Sequence, residues 1–411
     1  MPAIQKPELH RFHFKNLISP FNQPSNTELK RGILIAVFFV FTQALLAQPL
    51  QFRHLTVNDG LTQNSASVMT FDKHGYLWVG TADGLNRYDG YSFTQYRKSG
   101  ARGNRLFNTG INGLAADNRG QIWIAGSEGI EVLDPAANTH RTLLSLPLQA
   151  NMIRFWYDSI QARMLVFLHN YGVIAYDIKT FARQDIIKPG MSDLSSKLSG
   201  LSIIASGKPD LLYLIPRGRN LIVTLHTRDG RYVLNTLSDT PSDFISSTET
   251  PYGKGHIVFT AYRHQQFILA EYDPEQLRFI RTAAVDQGAG DPFLKSTLFI
   301  PSLQQFAVSD YDRGLTFYDT SFRETANYPI STVLSGTVRG MITLSMLLKD
   351  DCLWLGTDPN GITYCDLSPQ LFHHFRNNNN SQLPIVKGIF TDSRENVYSC
   401  YLASGAEVFD R

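Results

Sequence analysis

Cysteine is scarce: the 411 residues hold three, Cys352, Cys365 and Cys400. A sparse, odd set excludes a disulfide-framed scaffold. Cys352 and Cys365 fall on neighbouring predicted strands, so they are expected as buried free thiols, with a pair between them as the alternative. Long hydrophobic runs are also missing. One run, residues 33–47, follows Lys30-Arg31 and is short for a membrane span, so it reads as the apolar part of a secretory signal with cleavage after Ala47. Residues 1–47 are expected to be a signal peptide with a long disordered n-region, which places the mature chain outside the inner membrane, in the periplasm. An uncleaved leader anchoring it there is the alternative. Charge of one sign is not in excess either. The chain has 38 Lys and Arg against 36 Asp and Glu, and the first 47 residues account for five and two of these. The remainder, 33 basic and 34 acidic, has no basic surplus for nucleic acid. No His-Glu-x-x-His, Gly-x-Ser-x-Gly or Walker loop is present, nor any Cys/His metal spacing. No catalytic residue, metal ligand or cofactor is therefore assigned.

What is present is one stretch written twice. DKHGYLWVGTADGLNRYDG (residues 72–90) returns 45 residues later as DNRGQIWIAGSEGIEVLDP, residues 117–135. Asp72/Asp117, Gly75/Gly120, Trp78/Trp123, Gly84/Gly129 and Asp89/Asp134 coincide. Each copy alternates apolar, β-favouring runs with turns rich in Asp and Gly, which predicts four short antiparallel strands. Weaker copies follow, closing at positions 177, 225, 273, 319, 366 and 410, at steps of 43 to 48 residues. Such a sheet is marginal alone and is stabilised by stacking on its neighbours. A period of about 40–50 residues with four strands per unit marks a β-propeller. The predicted fold is all-β, with four-stranded antiparallel blades. Residues 48–370 form a seven-bladed ring, and residues 371–411 are an eighth unit that starts a second, truncated propeller. A single eight-bladed ring is the alternative. Phe52-Arg53-His54-Leu55 resembles a fourth strand without a blade of its own, so it should complete the last blade and latch the ring.

The phrase GLTQNSASVMTFDKHGYLWVGTADGLNRYDGYSFTQY (residues 60–96) resembles the two-component regulator propeller repeat. The resemblance runs from about Phe52 to the C-terminus, strongest in units 1, 2 and 7. It implies the extracytoplasmic sensor region of a hybrid two-component histidine kinase of the Bacteroidota type. Family members typically add an immunoglobulin-like stalk, a membrane helix and a kinase, none of which is in this sequence. The chain is accordingly expected to be a fragment of a ligand-sensing regulator that detects a carbohydrate or other nutrient, with any kinase activity residing elsewhere. A homodimer formed through downstream parts is left open. The competing expectations are a propeller lyase or hydrolase acting on a polysaccharide, and a protein-binding scaffold.

Ligands of propellers usually sit where loops of many blades converge. The loops between second and third strands share a face with the links between blades. On that face the residues that break the repeat are His169-Asn170-Tyr171 in unit 3, Arg217 and Arg219 in unit 4, and Tyr311-Asp312-Arg313 in unit 6. The blade links add Asn64, Arg105 and Asn108. Arginine, tyrosine and asparagine suit a small-molecule or oligosaccharide ligand through forked hydrogen bonds and ring stacking. The repeated Asp72, Asp117 and Asp392 are expected to cap turns, and Trp78, Trp123 and Trp354 to pack between blades. His169, His226, His256 and His264 are expected at the surface or in hydrogen bonds.

Overall fold

The computed structural model describes residues 50–99, 105–145, 153–188, 194–198, 200–216, 219–237, 245–253, 255–263, 266–285, 296–334, 340–368, 386–392, 397–401 and 405–409. The chain divides into two compact units, one of residues 49–368 and one that includes residues 369–411.

The larger unit is a seven-bladed β-propeller. Six blades are consecutive four-stranded antiparallel meanders, at residues 68–96, 111–145, 153–187, 201–236, 245–284 and 296–328. The seventh takes three strands from residues 342–366 and its outermost strand, Arg53–Leu55, from the start of the ring. Arg53 lies opposite Tyr364, His54 opposite Thr363 and Leu55 opposite Ile362. This is the predicted latch, and it closes the ring at seven blades rather than eight. Two further bonds stitch the seam: Ala66 N–H donates to Thr357 O at 3.1 Å, and Gly361 N–H to Asn64 O at 2.8 Å.

The core lies between blades. Second strands such as Leu77–Thr81, Ile122–Gly126 and Arg163–Leu168 are buried along their whole length, as expected of strands covered on both sides. The largest apolar clusters join adjacent blades; Trp78 of blade 1 packs with Ile111, Ile122 and Ile124 of blade 2. Close packing also explains a glycine: a Cβ on Gly80 would come within 2.7 Å of Ile111.

The recurring aspartates cap turns, and they do more than spacing reveals. Asp72 Oδ1 accepts the His74 and Tyr76 amides, while its Oδ2 accepts the Trp78 indole N–H at 2.8 Å. Asp117 repeats this with the Arg119 and Gln121 amides and Trp123. In blade 3 the aspartate is Asp158, and Arg163 Nε replaces the indole at 2.9 Å. Blade 7 departs from the pattern. By strand register Lys349 stands where blade 1 has Asp72, and the hairpin is a tight loop at Asp350 and Asp351, both with positive φ. Trp354 is consequently half-buried and stacked on Tyr364 at 4.3 Å, whereas Trp78 and Trp123 are fully buried.

The aspartates after the third strands are caps as well. Asp89, Asp134, Asp177, Asp273 and Asp319 each accept two backbone amides from the turn that follows. In blade 4 the closing position is His226, one residue beyond the sequence expectation of 225. The cysteines are free thiols.

The second unit contains a three-stranded antiparallel sheet, Val386–Thr391, Val397–Tyr401 and Gly405–Phe409. Tyr398 Oη donates to Asp392 at 3.1 Å, so a tyrosine takes the place of the blade-1 tryptophan.

Candidate ligand-binding face

In an antiparallel meander, connections alternate between the two ends of the strands. Loops between second and third strands therefore emerge at the same end as the links to the next blade, so the described candidates share one face by topology. Each set engages its own blade or the adjoining link.

Asn108 and Asn64 are anchors of their links. Asn108 is fully buried: its Nδ2 donates to Glu131 Oε1, and its Oδ1 accepts the Glu128 and Gly129 amides. Its carboxamide is committed to the fold and offers a ligand no surface. Glu131, itself 1% exposed, also accepts the Phe107 and Asn108 amides. Burial alone would raise its pKa, but these bonds and His140 outweigh that and hold it below the usual 4.5. Asn64 Oδ1 accepts the Val57 amide. Arg105 is exposed and forms a parallel bridge to Arg97.

The blade-3 loop is partly self-satisfied. Tyr171 Oη accepts from Arg183 Nη2 at 2.9 Å, with the guanidinium also over its ring. Asn170 is exposed in the left-handed region, φ 56°. His169 carries a buried Nδ1 without a hydrogen-bond partner. In blade 4, Arg219 is exposed, and Arg217 lies outside the described residues. In blade 6, Arg313 Nη2 donates to both carboxylate oxygens of Glu324, at 3.0 and 3.1 Å. Tyr311 covers Gly340 so closely that a Cβ there would lie 2.3 Å from the ring. Asp312 is exposed.

The structure adds a cleft on this face that sequence spacing did not show. About 330 Å³ in volume, it lies between blades 1 and 2, lined by Asp83, Arg97, Lys98, Ser99 and Thr109. Arg97 pairs with Asp83 at 3.0 Å and Lys98 with Glu128 at 2.8 Å. The Lys98 bond helps hold the Glu128 pKa low against the opposing effect of burial.

Elsewhere, His256 Nδ1 lies 2.7 Å from Glu271, which also accepts from Arg281 Nε. This fits the hydrogen-bonded reading of that histidine; His264 lies outside the described residues. Among the described residues, no group of three or more His, Cys, Asp and Glu side chains could hold a metal ion, and no helix is long and apolar enough to cross a membrane.

No family model matches the chain. A 72-residue stretch is 43% identical to a protein of Formosa agariphila named histidine kinase P4, covering 16% of this chain and 5% of that one. Among solved structures, one named as the extracellular domain of a hybrid two-component system, BT3049 of B. thetaiotaomicron, matches with a TM-score of 0.59. Identity there is 17% over 88% of this chain and 48% of that one. The WD40 repeats of RRP9 match with a TM-score of 0.55 at 10% identity, over 77% of this chain and 100% of theirs. The chain thus spans about half of the two-component neighbour and a small part of the kinase. It is similar in fold to the extracellular domains of two-component systems and, over one short stretch, similar in sequence to a histidine kinase.

Proposed function

We propose that the chain is the extracytoplasmic ligand-sensing propeller of a two-component regulator, exported by its leader, and that its ligand is a carbohydrate or other small nutrient. The observation that carries this reading is the contrast between a regular ring and the irregular polar loops on one of its faces. The blade tolerates the simple Ala82-Asp83 loop of unit 1, so the longer polar insertions answer to something other than folding. The names of the two-component neighbours support the sensing role and the location outside the membrane. Arg219, Asn170, Asp312 and Arg105 present exposed polar groups there, and His169, Tyr171 and Arg313 are half-buried in the same loops. The side chain of Arg217 belongs to the same proposed set. Signal output would come from sequence outside this chain, and residues 371–411 would open a second propeller.

Calorimetric titration of the purified chain with an oligosaccharide panel tests the proposal. Saturable binding weakened by Arg219→Ala, with unfolding stability kept within about 0.5 kcal/mol of wild type, is expected. Turnover of a polysaccharide would identify an enzyme instead. Affinity unchanged by the substitution would remove this face from consideration.

A further inference from the structure

The opposite face, where first-to-second and third-to-fourth turns emerge, carries a second cleft between blades 1 and 2. Its volume is about 260 Å³, below the roughly 300–1,000 Å³ of drug-sized ligand sites, so it suits a single small group. Lys73, His74 and Tyr76 reach it from the first turn of blade 1, Arg87 from the third strand of that blade, and Arg119 from the first turn of blade 2.

Three cationic residues, Lys73, Arg87 and Arg119, line it, and among the described residues none of them forms an ion pair. Lys73 Nζ donates to Arg119 O at 2.8 Å, which fixes the ammonium across the blade boundary and leaves two donors free. Arg87 is half-buried, with its guanidinium 4.9 Å from the Tyr76 ring centre and 6.0 Å from that of Trp78. Its Nε is buried and has no hydrogen-bond partner. Two carboxylates line the same cleft, and neither forms an ion pair with these cations. Asp72 serves two amides and the Trp78 indole, and Asp134 accepts the Ala136 and Ala137 amides. Elsewhere in the ring, cations near carboxylates do pair: Arg97 with Asp83, Arg163 with Asp158, Arg281 with Glu271, Arg313 with Glu324. A desolvated guanidinium beside two more cations is unfavourable until an anion arrives. The fork of Arg87 and the point charge of Lys73 match the oxygens of a carboxylate, sulfate or phosphate.

We propose that this cleft is an oxyanion site, taking a small ligand that carries a carboxylate, sulfate or phosphate group between Arg87, Lys73 and Arg119, next to the exposed ring of Tyr76. The site is on the other face from the loops considered above and does not rest on the sensing role.

The test is calorimetric titration of the full chain, at constant ionic strength, with sodium sulfate, sodium phosphate and sodium glucuronate, and with glucose as the neutral counterpart. Saturable binding of at least one anion and none of glucose is expected. Tighter binding of glucuronate than of the inorganic ions would assign an acidic sugar as the ligand; the reverse would assign a free inorganic ion. Arg87→Gln, Lys73→Gln and Arg119→Gln should each weaken binding about tenfold or more, the loss of one charged hydrogen bond. Lys73 and Arg119 are exposed, so their variants keep the test valid if Arg87→Gln impairs folding. No anion binding, equal binding of glucose, or affinity untouched by both exposed substitutions would overturn the proposal.

Discussion

The clasp between Asp72 and Trp78 makes a sharp prediction about what holds a blade to its neighbour. Trp78 is fully buried, packed with Tyr96, Ile111, Ile122 and Ile124, and its indole N–H ends on Asp72 Oδ2. Trp78→Ala removes a large aromatic from a close-packed boundary, which costs about 3–5 kcal/mol. It also strands a buried carboxylate oxygen, adding about 1–3 kcal/mol if the space stays dry. Water entering the hole would cancel that second cost. Trp78→Phe keeps a six-membered ring and loses the donor together with the smaller volume of the fused five-membered ring. It should cost at least the about 1.5–3 kcal/mol of a hydrogen bond to a charged group, plus a packing loss smaller than that of Trp78→Ala. Urea unfolding followed by circular dichroism measures both, and combining Trp78→Phe with Asp72→Ala gives the coupling energy. A wild-type midpoint for Trp78→Ala would refute the packing assignment. A coupling near zero would leave the packing intact and refute the clasp.

The remaining predictions concern charge, thiols and closure. Glu131 is held below its usual pKa, so its contribution is complete above about pH 4.5 and is lost as pH falls through the folded value; acid unfolding should be shallower in Glu131→Gln than in wild type. Burial, with smaller effects of Cys352 and Asp366, pushes the Cys365 thiol up to about 12, so a thiol reagent at pH 8 should label it only after unfolding; labelling of the folded chain at the rate of a free thiol would contradict this. Deleting residues 50–57 removes the latch and bares the edge of Gly361–Asp366, and light scattering should then detect aggregation.

Much of the ring was legible because its period is written in residues that serve local structure. Gly75 and Gly120 take the same positive φ, 85°, in the same turn, and an apolar strand follows each. The latch was legible because Phe52–Leu55 has the pattern of an outer strand without a copy of the repeat to belong to. The less legible parts depend on partners that spacing cannot identify. Arg163 takes the role of a tryptophan because its own turn ends in Asp158 and Thr227 of the next blade accepts its other end. Trp354 shares the phase of Trp78 but not its burial, since a two-residue hairpin replaced the aspartate turn. Tyr171 and Arg313 read as free loop residues, yet each meets a side chain of its own outer strand, Arg183 and Glu324. Those meetings depend on how far a loop folds back, which the order of residues leaves open.

The cleft between blades 1 and 2 lacks ion pairs for a reason already present in the repeat. The third-to-fourth turns close on aspartates, and backbone amides satisfy them; those amides, as the largest effect, hold Asp89, Asp177 and Asp319 below the usual carboxylate range. A carboxylate so engaged keeps its charge, but its lone pairs point into its own turn and are less available to a neighbouring cation. The first-to-second turns of blades 1 and 2 use Asp72 and Asp117 in the same inward way. In the cleft between blades 1 and 2 the two carboxylates, Asp72 and Asp134, are thus engaged with their own turns. Where a capping aspartate keeps an oxygen free, a cation does pair with it, as Arg163 does with Asp158 and Arg323 with Asp319. Lys73, Arg87 and Arg119, beside Asp72 and Asp134, form no ion pair among the described residues. On the other face Asp83 and Glu128 take Arg97 and Lys98. The turn device that makes the blades regular thus also draws the carboxylates of this cleft away from Lys73, Arg87 and Arg119, while in blades 3 and 6 a second carboxylate oxygen is left for Arg163 and Arg323.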